Sequence, residues 1–320
     1  MKPTLSCALA LALTTTACFD ADTDYDPAAD AEFGQVEAGI VSGGTPYPWM
    51  VARAVKPAYP CTATLIAPRF ALTALHCTQY NKVGTSVHFY TDASGFDQGL
   101  AAKVVSVRLR PGTNAAPNQD ITDSTNLQAD IAVLELETAA PASSVASTLE
   151  WAYPGAWGFG RVVGAGDHDN AGTNPNSVGE LRYAVDVTDS ADDDSGCFFT
   201  IADNVNAGDS GGPLYMDDRI LGVLNTHRPG VNDGYTSVPK HLDWILGQIG
   251  YAWAHGASQA VVRRGAAIQV FDQATERVCQ YACDHTACVA YDFVPSLSRC
   301  TLLSTVTSIV NSTTTRSDAK

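Results

Sequence analysis

From residue 40 to about residue 220, apolar and β-branched residues come in short runs. Residues 64–66, 83–90, 104–109, 131–136 and 220–224 are examples, and Gly, Pro, Asn and Asp separate them. Runs of this length and spacing predict an all-β barrel or sandwich and not alternating strand–helix units. The pattern changes after Pro239, where Leu242, Ile245, Leu246 and Ile249 recur at helical spacing. That periodicity predicts one helix closing the region. No repeat of 20–50 residues runs through the chain.

The first 38 residues follow a different pattern. Lys2 and an apolar stretch at 5–13 have the layout of a secretory signal peptide over residues 1–17. Thr15, Thr16 and Ala17 before Cys18 resemble a bacterial lipobox, in which the Cys becomes the lipidated first residue, although Thr15 stands where Leu is usual. A soluble secreted product of ordinary cleavage is the alternative. Either way the chain is exported, to a bacterial cell envelope or beyond it. Residues 18–38 then carry Asp20, Asp22, Asp24, Asp26, Asp30, Glu32 and Glu37 with no Lys or Arg. Such a segment cannot bury enough apolar surface to offset its ordering entropy, and it reads as a disordered tether or pro-segment.

Composition narrows the function classes. The chain has 320 residues, 34 Asp+Glu against 19 Lys+Arg, and a net charge of −15. Nucleic acid is excluded as a partner, because phosphate backbones demand clustered cations. No apolar run beyond the N-terminus is long enough to span a bilayer, which leaves a lipid on Cys18 as the one route to a membrane. Nine cysteines suit an oxidising compartment. No cofactor motif is present, and no metal is expected.

Three separated stretches carry chemistry. Cys61 to Cys77 holds Thr73-Ala74-Leu75-His76-Cys77; Asp130-Ile131-Ala132-Val133-Leu134 follows; Gly208-Asp209-Ser210-Gly211-Gly212-Pro213 is the third. Singly, His76, Asp130 and Ser210 each have an ordinary structural reading. Together and in this order they resemble the trypsin-like, chymotrypsin-fold serine peptidases, over residues 40 to about 250. Trp157-Gly158-Phe159-Gly160 and Gly234-Tyr235-Thr236 are smaller echoes.

The resemblance implies two Greek-key antiparallel β-barrels with a C-terminal helix, as a protease domain over 39–252. It implies His76 as general base and acid, Asp130 as the residue that orients it, and Ser210 as nucleophile. The N–H groups of Gly208 and Ser210 would face the developing oxyanion. Asp209 would pair with a new N-terminal amine made by proteolytic activation of a zymogen. Ile40-Val41-Ser42-Gly43-Gly44 is one residue longer than the family's mature start, so Ile40 and Val41 are both candidates for that amine.

Position matching puts Asn204 at the base of the S1 pocket, Asn225-Thr226-His227 along its edge and Asp233 near its back wall. Two readings follow: Asp233 supplies the anion for a basic P1 side chain, or it is buried by local partners and the pocket takes a small or polar residue. His227 replaces a Gly at the pocket entrance, and Asn206 stands where many relatives have a bridging Cys.

The cysteines divide by the same resemblance. Cys61 and Cys77 match the bridge beside the catalytic His. Cys197 has no partner between residues 78 and 196 and is expected as a free buried thiol, or bridged to the C-terminal region. Cys279, Cys283, Cys288 and Cys300 are closely spaced without paired CxxC, which argues against zinc. Their surroundings resemble PAN/apple domains, small α+β disulfide modules that bind protein or carbohydrate. The module would run over 261–317, with Cys279–Cys300 and Cys283–Cys288 as its bridges. Its Ser/Thr-rich end, 304–317, would be an edge strand plus a frayed tail.

The functional expectation is an exported serine endopeptidase acting on protein or peptide substrates. A silent trypsin-like scaffold is the alternative, opposed by the complete set of His76, Asp130 and Ser210. An α/β-hydrolase would order its triad Ser, Asp, His and is excluded by chain order.

Overall fold

The computed structural model describes residues 40, 44–51, 53–56, 61–92, 95–111, 129–153, 158–166, 180–188, 196–201, 204–228, 231–255 and 258–320. The expected signal peptide, Cys18, the acidic segment and Val41 therefore lie outside the described residues.

A four-residue helix, α1 (Pro48–Val51), leads into six strands: β1 (Ala54–Lys56), β2 (Ala63–Ala67), β3 (Phe70–Thr73), β4 (Ser86–Asp92), β5 (Gly95–Leu109) and β6 (Ala132–Leu136). They close into a barrel in the order β1-β2-β3-β6-β5-β4. The reason lies in a period of two. Ala63 and Leu65, Val87 and Phe89, Ala102 and Val104, and Leu134 and Leu136 all point into one cluster with Val55 and Ala71. Alternate residues fill the interior and the ones between face outward.

Seven more strands follow: β7 (Thr148–Leu149), β8 (Gly158–Gly164), β9 (Arg182–Thr188), β10 (Cys197–Phe199), β11 (Pro213–Met216), β12 (Arg219–Arg228) and β13 (Asn232–Ser237). Their order is β10-β13-β12-β11-β8-β9, with β7 parallel to β12. The expectation of two barrels is corrected here, because the second sheet is a half-barrel. Its ends meet through a single bridge, Thr188 to Thr200, and one hydrogen bond from Ile201 N to Val187 O at 3.0 Å. No ladder forms at that seam among the described residues.

The helix expected after Pro239 is α2 (Val238–Gln248), with Leu242, Ile245 and Leu246 fully buried. Beyond it come β14 (Val261–Arg264), β15 (Ala267–Phe271), α3 (Glu276–Asp284), β16 (Ala290–Val294), β17 (Arg299–Leu303), β18 (Ser308–Asn311) and β19 (Arg316–Ala319). The strands form a sheet β15-β17-β16-β19 and a β14–β18 pair. Helix α3 is capped by Thr275, whose hydroxyl accepts from Val278 N. Cys279–Cys300 ties it to β17, and Cys283–Cys288 closes its end.

This module is not loosely attached. Its Phe271, Ala274, Val278, Tyr281 and Ala282 share one core with Leu149, Trp151, Val238, Leu242, Ile245 and Leu246 of the preceding half. The Tyr281 hydroxyl accepts a buried hydrogen bond from Leu149 N at 2.9 Å. Trp151 Nε1 donates to Gln269 Oε1 at 3.1 Å, and Arg277 Nη1 to Asp243 O at 2.9 Å. The Ser/Thr-rich end does contain an edge strand, β18, but the expected frayed tail is corrected, because β19 follows it. Residues 316–319 pair with 290–293, and Ser317 is fully buried, its hydroxyl donating to Tyr291 O.

Candidate active site

The closed barrel supplies two of the three chemical groups. His76 opens a 3-10 turn, His76–Gln79, straight after β3, and Asp130 lies two residues before β6. Because β3 and β6 are neighbours in register, Thr73 opposite Ala132, their flanking residues meet. His76 Nδ1 and Asp130 Oδ2 are 2.7 Å apart, and His76 N donates to Asp130 Oδ1 at 2.9 Å. Two contacts to one carboxylate fix both the backbone and the ring. The Asp130 side chain is 1% exposed and that of His76 is 20%, so the pair is anchored inside and open outside. The far end is held as well: Thr236 Oγ1 donates to Asp130 O at 3.1 Å and accepts from Asn225 Nδ2 at 3.0 Å.

The half-barrel supplies the third group on a turn before β11. Thr62 N donates to Ser210 O at 2.8 Å, and Cys77 Sγ lies 3.5 Å from the same oxygen. The Cys61–Cys77 bridge, which follows the family pairing, thus abuts the Ser210 backbone as well as carrying His76's turn. Thr62 Oγ1 donates to Gly208 O at 3.0 Å. Gly211 has φ +82°, and a Cβ there would overlap Thr73 Oγ1 and Thr62 O, so only glycine lets this turn approach the barrel.

The turn's amides divide into two sets. Asp209, Gly211 and Gly212 donate to Asn206 O, Leu224 O and Asp209 O. The N–H groups of Gly208 and Ser210 have no acceptor among the described residues. Two unspent donors two residues apart, beside a serine, form a site for a developing negative oxygen.

Asp209 is fully buried, and burial pushes its carboxyl up to about 7, against the downward pull of hydrogen bonds from Asn206 N (2.9 Å) and Gly166 N (2.7 Å). Ile40, far from Asp209 in sequence, is fully buried: its N–H donates to Asn204 O at 2.6 Å and not to Asp209.

Asn204, His227 and Asp233 come together. Asn204 N donates to Asp233 Oδ2 at 2.8 Å, and His227 Nδ1 donates to Asp233 Oδ1 at 2.9 Å across the β12–β13 register. Asp233 is fully buried, so both its oxygens are engaged from within.

Sequence reading missed three supports: Thr62, Thr236 and Gly166. Thr62 stands just before β2 and Thr236 lies in the polar strand β13, so neither carried a signal of its own, and Gly166 carried none either. Cys197 corrects the free-thiol expectation, since it is disulfide-bonded. Every described cysteine is oxidised, so the cluster of Cys61, His76 and Cys77 has no thiolate for a metal.

Comparison with known proteins agrees with this geometry. The chain matches the trypsin family over residues 39–245. Trypsin alpha-4 of Lucilia cuprina is 25% identical over 244 residues, 67% of this chain and 87% of that protein. Among solved structures, neuropsin, a serine protease of mouse brain, superposes with a TM-score of 0.51 at 20% identity, covering 65% of this chain and 99% of that one. A scabies mite inactivated protease paralogue does so with 0.50 at 21%, covering 65% and 98%. The fold is therefore compatible with a silent site as well as a working one, and the residues have to decide. The chain belongs to the trypsin family, and it is a serine endopeptidase.

Proposed function

We propose that this enzyme is exported and cleaves peptide bonds through Ser210, His76 and Asp130. The observation that carries the reading is the pairing of the doubly held His76–Asp130 unit with a serine turn whose Gly208 and Ser210 amides are unspent. In the first half-reaction Ser210 Oγ attacks the substrate carbonyl while His76 takes its proton. Asp130 holds the imidazole in the tautomer this needs and stabilises the imidazolium. The oxyanion receives the two amides. The C–N bond then breaks, His76 returns the proton to the leaving amine, and an acyl ester remains on Ser210. Water, deprotonated by His76, hydrolyses that ester and restores the enzyme.

Cleavage before Ile40 would turn its N–H into an ammonium able to neutralise Asp209. The acidic segment would act as the pro-segment. Cys18 serves as a lipid anchor only if it is not in a disulfide, because one sulfur cannot carry both. A PAN/apple-like role for the module, binding protein or carbohydrate, is part of this reading.

The engagement of Asp233 favours a small or polar P1 residue over a basic one. His227 and Asn204 occupy both oxygens of the buried carboxylate. Swinging the imidazole away would strand that charge, which is costly. His227→Gly is expected to raise the kcat/KM ratio of P1-Arg over P1-Ala substrates at least about tenfold, since long side chains then reach Asp233. An unchanged ratio would remove His227 as the determinant.

Cleavage of a protein substrate by the form processed before Ile40 tests the whole reading. Activity on protein that disappears in Ser210→Ala is the expected result. Hydrolysis of simple esters alone would point to an esterase, and full activity in Ser210→Ala would overturn the triad.

A further inference from the structure

Thr62 stands between Cys61, which is bridged to Cys77, and the first residue of β2. It is fully buried, and each of its polar atoms is engaged. Its N–H donates to Ser210 O at 2.8 Å, and its carbonyl accepts from Thr73 Oγ1 at 2.8 Å. Its hydroxyl donates to Gly208 O at 3.0 Å and accepts from Ala165 N at 3.1 Å. One residue at the edge of the closed barrel thus holds the carbonyls of both Gly208 and Ser210.

Of these contacts only the hydroxyl's depend on the side chain, since any residue but proline has the N–H. A hydroxyl has one proton to give. Ala165 N donates into its oxygen, so that proton goes to Gly208 O. The methyl group faces Gly212, where an added Cβ would lie 3.5 Å from Thr62 Cγ2. A β-branched side chain packed on that side has little freedom to rotate.

The peptide unit joining Gly208 to Asp209 lies between the two oxyanion amides, and a peptide unit turns as a rigid plane. This one is held at both ends. Asp209 N donates to Asn206 O at 3.1 Å, and Gly208 O accepts from Thr62. The following unit carries the Ser210 N–H and is held at its own carbonyl, Asp209 O, by Gly212 N at 2.8 Å. Gly208 has φ +98°. A glycine has little conformational preference of its own, so the contacts on either side decide where its N–H points.

The hydroxyl also ties the turn to β8. Ala165 and Gly166 follow that strand, and Gly166 N donates to Asp209 Oδ1 at 2.7 Å. Two consecutive amides are therefore gripped, one by the Thr62 hydroxyl and one by the Asp209 carboxyl. The grip through Thr62 carries no charge.

We propose that Thr62 Oγ1 is a positioning group for the reaction, fixing the Gly208–Asp209 peptide so that the Gly208 and Ser210 N–H groups converge on the oxygen that becomes negative. The proposal rests on the reading of Ser210 as nucleophile and of those two amides as oxyanion donors. Thr62 is fully buried and touches no substrate. Its effect arises where negative charge develops, so it acts on turnover and not on ground-state binding.

The test is steady-state kinetics of Thr62→Val and Thr62→Ser in the form processed before Ile40, with succinyl-Ala-Ala-Ala p-nitroanilide. Valine keeps the shape and removes the hydroxyl. Rates are expressed per site labelled to completion by a fluorophosphonate, so unfolded chains do not count as slow ones. Thr62→Val should lower kcat at least about tenfold, short of the roughly hundred- to thousandfold that follows loss of a donor itself. KM should stay within about twofold, and Thr62→Ser should recover most of the loss.

A second measurement needs no turnover. With acetyl-Ala-Ala-alaninal, Ser210 Oγ bonds to the aldehyde carbon, its proton passes to His76, and the carbonyl electron pair moves onto the oxygen between the two amides. Thr62→Val should weaken this aldehyde at least about tenfold and leave the matching alcohol, acetyl-Ala-Ala-alaninol, unchanged. If the valine variant does not fold, Thr62→Ala carries the same expectation. A kcat within about threefold of wild type, a KM that rises as much as kcat falls, no recovery in Thr62→Ser, or equal weakening of aldehyde and alcohol would overturn the proposal. Activity that survives Ser210→Ala removes the triad reading instead, and this proposal falls with it.

Discussion

The closed barrel and the half-barrel each give the site one limb, and they hold it differently. The His76–Asp130 limb is fixed by short contacts between neighbours in one barrel, braced by the Cys61–Cys77 bridge. The Ser210 limb is a turn on a sheet whose seam is a single bridge, and it hangs on a buried carboxylate, Asp209, held by two backbone amides. The first limb is complete in the intact chain. In the proposed scheme, cleavage before Ile40 would bring the second the cation that lets Asp209 ionise without penalty. The contrast is between a limb held by side-chain contacts and a disulfide and a limb held around one buried, titratable carboxyl.

Three changes would break or sharpen that contrast. The largest effect belongs to the rigid limb. Asp130→Asn should lower kcat by about ten-thousandfold with little change in KM, because it upsets the His76 tautomer and leaves the substrate surface alone. A loss of less than about tenfold, measured by steady-state kinetics, would mean Asp130 does not orient the base.

Next comes the bridge that braces both limbs. Replacing Cys61 and Cys77 together by Ala should cost about 3 kcal/mol in denaturant unfolding, as expected for a loop of this length. Activity should fall by more than the unfolded fraction explains, because the same bridge abuts Ser210 O.

The smallest effect belongs to Asp209. Its folded pKa is raised from 3.8 to about 7. Between these values the folded state keeps a proton that the unfolded chain releases. Stability from this group is therefore full below about pH 4 and is lost as the pH rises through 7. In the intact chain, Asp209→Asn should flatten the fall in thermal midpoint between about pH 4 and pH 8. Processing before Ile40 should flatten it too. If neither does, Asp209 is not the pH-sensitive group.

The two limbs also differ in what the sequence revealed. Short apolar runs such as residues 83–90 made an all-β barrel or sandwich readable, and the spacing of Leu242, Ile245 and Leu246 made α2 readable. The His76–Asp130 pair and the turn that carries Ser210 were legible because motifs mark them. The half-barrel's open seam was not, since Thr188 and Thr200 carry no apolar signal and the contact is tertiary. The sequence marks an edge strand within 304–317 but does not tell β19 from a frayed tail, because β19's strand character comes from pairing with β16 and not from its own residues. The state of Cys197 was hidden because a disulfide partner cannot be found from spacing. The shared core of Tyr281 and Leu149 was hidden because periodicity says which face is buried but not what covers it.

The most direct test of the account is covalent labelling of the processed chain with a fluorophosphonate, followed by peptide mapping. The account predicts a single adduct on Ser210, formed at a rate that falls at least about a thousandfold in His76→Ala. An adduct on another residue, or labelling of Ser210 that proceeds at the same rate without His76, would contradict it.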